Sequence, residues 1–162
     1  MANGTPNRTL AEYLRGSIDL ESDVLRVALF NDEIAYTFDP ETHEFVDDVL
    51  DGTTAEEFGD SGGTGYSRQD LENADVIQND AEDRADFDAD DVLFPSIDGE
   101  TIQGAVVYKQ VGGDDTTPGD DPIIQVYDND QADVDDFPLP TNGSDVQIEW
   151  DADGILSVEA AD

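Results

Sequence analysis

The chain has 162 residues, 42 of them Asp or Glu and only 6 Lys or Arg, for a formal net charge of −36 at pH 7. That charge argues against nucleic acid and against an anionic membrane as partners, since both would be repelled, and the absence of cysteine excludes disulfides and thiolate metal sites. A chain this acidic repels itself in dilute buffer; the Debye length shrinks from about 10 Å at 0.1 M salt to about 3 Å at 1 M, so the composition predicts a protein built for brine and a halophilic host.

An apolar fraction of 37% with 8% aromatics, gathered into short runs, speaks for a folded body rather than an acidic solvating tail. The length predicts one domain over residues 1–162, with 1–8 as a flexible arm. Met1 to Arg8 has neither the basic nor the apolar region of a secretory signal, and no apolar run approaches the ~20 residues of a membrane helix. The expectation is synthesis in the cytoplasm and no membrane partner.

The first predicted element is a short helix over Thr9–Arg15, with Leu10, Tyr13 and Leu14 on one stripe, Thr9 as N-cap and Gly16 as stop. Arg8 and Arg15 bracket it, either as a docking pair for an acidic neighbour or as ordinary surface charges. Val24–Phe30 (VLRVALF) is a continuous apolar run of strand length, read as a central strand. Helix-start chemistry at Asp39-Pro-Glu-Thr predicts a short helix near Pro40. Residues 51–65 read as a loop ending in Gly62, Gly63 and Gly65.

Tyr66–Ile77 and Arg84–Phe94 read as broken strands, Ile102–Val111 as a strand, 113–122 as a polar loop and Ile123–Tyr127 as a further strand. Val146, Ile148 and Trp150 alternate with polar residues, as do Leu156, Val158 and Ala160 after the Asp151-Ala-Asp-Gly154 turn. That pair predicts a C-terminal hairpin. Short strands punctuated by turns, with few helices, predict an all-β fold, a β-sandwich or barrel-like single domain with a short N-terminal helix.

The search for chemistry assigns no catalytic, cofactor-binding or metal-ligating residue. Carboxylate pairs of the kind a glycosidase needs are so frequent here that none stands out. His43 is the sole histidine and Lys109 the sole lysine; His43 lies in an acidic segment, with no nucleophile elbow or zinc-binding helix motif elsewhere. Gly62-Gly-Thr-Gly65 lacks the Lys and Ser/Thr of a phosphate loop and reads as a turn.

Asp86, Asp88 and Asp90 match the opening of an EF-hand loop, but Asp91 replaces its glycine and Ile97 its bidentate glutamate. Asp128, Asp130 and Asp133 fail likewise, and Asp151 and Asp153 belong to the hairpin turn. Sequons at Asn3, Asn7 and Asn142 are short enough to arise by chance. The expectation is a protein that is not an enzyme and carries no cofactor.

Five segments in order, LRVALFNDEIAYTFDPETHEFVDDV (25–49), GTGY (63–66), FDADDVL (87–93), GAVVY (104–108) and QIEWDADGIL (147–156), resemble a family of small structural proteins of tailed viruses. The resemblance implies a virion component, here in a haloarchaeal tailed-virus version, and carries over no catalytic residue. It implies a decoration, turret or minor capsid protein on the capsid surface, acting as a homo-oligomer against the major capsid protein or other virion proteins. A tail or head–tail connector protein is the alternative. From a different class comes a halophilic carbohydrate-binding β-sandwich, with a platform drawn from Tyr36, Phe38, Tyr66, Tyr108, Tyr127 or Trp150.

Overall fold

The computed structural model describes residues 4–128 and 137–159. The chain runs α1 (Asn7–Arg15), β1 (Leu25–Asn31), α2 (Val46–Val49), β2 (Gln69–Asp70), β3 (Asp75–Asn79), β4 (Arg84–Asp88), β5 (Val92–Phe94), β6 (Thr101–Lys109), β7 (Ile123–Asp128), β8 (Leu139–Pro140), β9 (Val146–Ile148) and β10 (Leu156–Glu159). It is an all-β domain with one short N-terminal helix, as the strand pattern predicts.

An antiparallel sheet in the order β2-β1-β6-β7 forms the centre, and β8 pairs the start of β6. The apolar runs of β1 and β6 lack alternation because both faces of this sheet are covered. Val27, Leu29, Ala105 and Val107 face one core, backed by the β10-β4-β3 sheet and the β5-β9 pair through Phe87, Val92, Phe94 and Val146. Ala28, Phe30, Val106 and Tyr108 face a second core, closed by Tyr36, Ala55 and the Val46 and Val49 side chains of α2. Gly104 lies where the Phe30 ring crosses β6; a Cβ there would collide with that ring and with the Tyr127 carbonyl.

Several local expectations give way to tertiary contacts. The N-terminal helix starts at Asn7 after Pro6, so Thr9 is inside it rather than its cap. Thr9 is fully buried and its hydroxyl donates to the Ile123 carbonyl; of the expected stripe only Tyr13 packs against the core, while Leu10 is 43% exposed and Leu14 92%. Of the arm expected at 1–8, residues 1–3 lie outside the described residues. Gly4 pairs with Val126 (2.9 and 2.8 Å), Thr5 donates to Gln125, and Asn7 opens α1.

The helix expected near Pro40 is a turn instead. Asp39 accepts from the Glu41 amide (2.9 Å), and the first apolar pair able to reach the core is Val46/Val49, where α2 forms.

The C-terminal hairpin is the largest correction. β9 pairs with β5 (Val92↔Ile148) and β10 with β4 (Leu156↔Phe87), leaving only an isolated bridge between Asp151 and Gly154. The turn sends its two strands to different partners. Gly154 has φ +83° and no room for a Cβ beside the Phe87 carbonyl, which accepts from the Ile155 amide at 2.7 Å.

Candidate functional site

The glycine-rich turn at 59–65 is built around a carboxylate of the chain itself. Glu100, at the head of β6, accepts backbone N–H bonds from Gly59 (2.7 Å), Ser61 (2.7 Å) and Gly63 (2.9 Å), and one from the Asn31 side chain (3.3 Å). Burial pulls its pKa upward, and donation from Gly59, Gly63, Asn31 and Ser61 outweighs that, holding it below the ordinary carboxylate range. Backbone N–H groups converge as in a phosphate-binding nest, with Glu100 in the anion's place.

A second polar centre joins residues the sequence reading did not connect. Arg68 makes a bidentate pair with Glu57 (2.7 Å for both bonds), and Tyr66 donates to the same carboxylate (2.9 Å). Asp115, from the loop before β7, pairs with Arg26 and accepts from Tyr108 (2.6 Å) and Gln110 (2.8 Å). The network ties a long acidic loop to the central sheet. Its sequence signal was the scarcity of cations: in so acidic a chain, an arginine inside a strand is there for a specific partner.

The remaining candidates are dispersed. His43 stacks on Tyr36 (5.4 Å), and its Nδ1 accepts from the Asp39 amide and faces the Tyr36 hydroxyl, each at 3.0 Å. Lys109 pairs with Asp23 (2.8 Å). Asp86 is held by Arg84 (2.8 Å), Asn79 (3.0 Å) and Ser157 (2.7 Å), while Asp88 caps the Ala89 amide and Asp90 accepts from Asn73. Asp130, Asp133 and Asn3 lie outside the described residues. Among the described residues, no group of three or more His, Asp or Glu is arranged to hold a metal ion.

Of the six aromatics considered for a platform, Tyr36 and Tyr108 are buried in the second core, Phe38 packs against that core and Tyr66 against the first. Tyr127 and Trp150 also pack partly against the first core, and they come together with ring centroids 5.6 Å apart and planes tilted by 38°. They line a cleft of about 1020 Å³ between α1, β7 and the β9–β10 turn. The Trp150 indole N–H donates to the Asp90 carbonyl (3.0 Å) and the Tyr127 hydroxyl to the Ile155 carbonyl (2.7 Å). Both polar handles are engaged within the protein, so the rings are locked and offer the cleft their apolar surface.

Gln125 accepts from Thr5, which leaves its Nε2 as the donor that Thr5 does not use. Gln147 and Asp151 stand on the rim. No lysine or arginine lines this space among the described residues.

No protein family, curated protein or solved structure matches this chain.

Proposed function

We propose that this protein is a non-enzymatic structural component of a haloarchaeal tailed-virus particle, carried on the capsid surface as a decoration, turret or minor capsid subunit. What carries the reading is where the resembling segments lie. LRVALF is β1, GAVVY the middle of β6, FDADDVL joins β4 to β5, and QIEWDADGIL runs from β9 to β10. The GTGY glycine at 65 (φ +78°) passes within 2.6 Å of the Ser96 carbonyl at the Cβ position, and Tyr66 receives the Leu29 amide (3.0 Å). The likeness therefore covers β1, the middle of β6 and the ends of β4, β5, β9 and β10, together with the turns between them.

An assembly role is further supported by apolar side chains left in water on a surface otherwise coated with Asp: Leu14 is 92%, Val158 57% and Val24 55% exposed. Contact with copies of itself and with shell proteins would cover them. Quantitative mass spectrometry of purified virions tests the proposal. Copies in the hundreds, with head density in labelled particles, are expected. A handful of copies would instead mean a tail or connector protein, and absence from particles would end the reading.

A further inference from the structure

We infer that the cleft between α1, β7 and the β9–β10 turn binds a neutral oligosaccharide through the Trp150–Tyr127 pair. The inference stands apart from the virion assignment, because it rests on the cleft alone. A volume of about 1020 Å³ is at the upper end of small-ligand sites, which run to about 1,000 Å³. It is roomy enough for more than one sugar ring and far larger than a cage for a single ammonium group.

The two rings are fixed by hydrogen bonds at their polar edges, so stacking against the apolar face of a sugar costs little ordering. Polar groups suited to hydroxyls surround them: the Gln125 amide within, Gln147 and Asp151 on the rim. Gln147 is itself steadied by a bond from its Nε2 to Asp91 (3.0 Å), which leaves its carbonyl oxygen as an acceptor.

Charge narrows the ligand class. Asp153 on the lining is paired to Arg84, which leaves Glu149 and Asp151 as its unbalanced carboxylates. No lysine or arginine lines the cleft itself among the described residues, so nothing there rewards phosphorylated, sulfated or uronic ligands. An organic cation would lean on those carboxylates, but molar salt, with a Debye length of about 3 Å, screens that attraction as it screens the repulsion of anions, so charge favours neither. Stacking and hydrogen bonding to a neutral sugar survive the same screening. A neutral polyhydroxylated chain is the ligand that fits both the lining and the solvent.

The chain has a single tryptophan, so its fluorescence reports on this cleft directly. The full-length protein in molar KCl is titrated with glucan- and mannan-derived oligosaccharides, with sulfated and sialylated oligosaccharides, and with choline. A saturable emission shift with a neutral oligosaccharide only is expected. Trp150→Ala, followed by calorimetry, should weaken binding by about tenfold or more. The exposed Gln147→Ala, which leaves the core intact, should weaken it several-fold and keeps the test decisive if the tryptophan variant does not fold. No response to any neutral sugar, a response to choline or to anionic glycans alone, or unchanged affinity in Gln147→Ala together with a folded Trp150→Ala would overturn the inference. Because the assay uses free protein, its failure leaves the virion reading standing, and absence from virions leaves the cleft intact.

Discussion

At the scale of single residues, scarce groups are placed for specific work while the abundant carboxylates mostly serve the solvent. Glu57, Asp86, Asp115 and Glu100 are exceptions among the acids, Glu100 because it fills the nest that the glycine-rich turn makes. His43 is the clearest titratable case. Its Nδ1 accepts from the Asp39 amide, so the proton of the neutral ring sits on Nε2. Burial lowers its pKa, and Asp39, Asp48 and Asp51 only partly restore it, so the folded value lies below the ordinary 6.5.

With the folded pKa depressed, the unfolded chain takes up the proton first as pH falls. The stability His43 supports is present above about pH 6.5 and is lost as pH drops through that value toward the folded pKa. Measured by denaturant titration between pH 8 and about pH 5, the wild type should lose stability relative to His43→Gln. Taking the difference removes the general effect of protonating carboxylates, and parallel pH profiles would contradict the assignment.

At the scale of elements, periodicity located strands well and partners poorly. β1 and β6 were legible because a continuous apolar run of strand length signals burial on both faces. The DADG turn was legible as a turn, yet nothing in its local chemistry says whether the following strand folds back on β9 or crosses to β4. Packing decides: Gly154 at φ +83° lets Ile155 bond Phe87, which starts the β10–β4 register.

Gly154→Val should strain this turn by about 1–3 kcal/mol and push a side chain against the Phe87 carbonyl. Amide exchange of Leu156 to Glu159 should then accelerate while the β5–β9 amides keep their protection. Equal loss in both pairs, or no loss in either, would show that the turn does not set this pairing. For α1 the sequence indicated a helix and its Gly16 stop but misjudged the inward face. One hydroxyl, on Thr9, outweighs two leucines because it satisfies a buried carbonyl of β7.

At the scale of the whole molecule, the net charge of −36 sets the conditions of stability. Its cations are largely spoken for: Arg15, Arg26, Arg68, Arg84 and Lys109 lie in ion pairs, and Arg8 rests over the Phe45 ring at 4.6 Å. Internal pairing therefore leaves most of the negative charge unbalanced, and the solvent must supply the screening. Transfer from molar salt to about 0.1 M should lower the melting temperature, because the Debye length lengthens about threefold and self-repulsion returns. A melting temperature that does not move across this range would remove the argument for a protein adapted to brine.

The amino-acid sequence by itself indicated the all-β class and the position of the long apolar strands β1, β6 and β7, while β8 is missed and β2 with β3, and β4 with β5, each read as one broken strand. Charge, apolar periodicity and turn residues act over a few neighbours, and they can be read without knowing what lies across the fold. Only the tertiary structure decided which strands pair, which face of α1 turns inward, that Glu100 occupies the glycine nest, and that Tyr127 and Trp150 meet at a cleft beside the first core. Each of these joins groups far apart in the chain, and competition for buried hydrogen bonds and core volume settles them only once the whole molecule has closed.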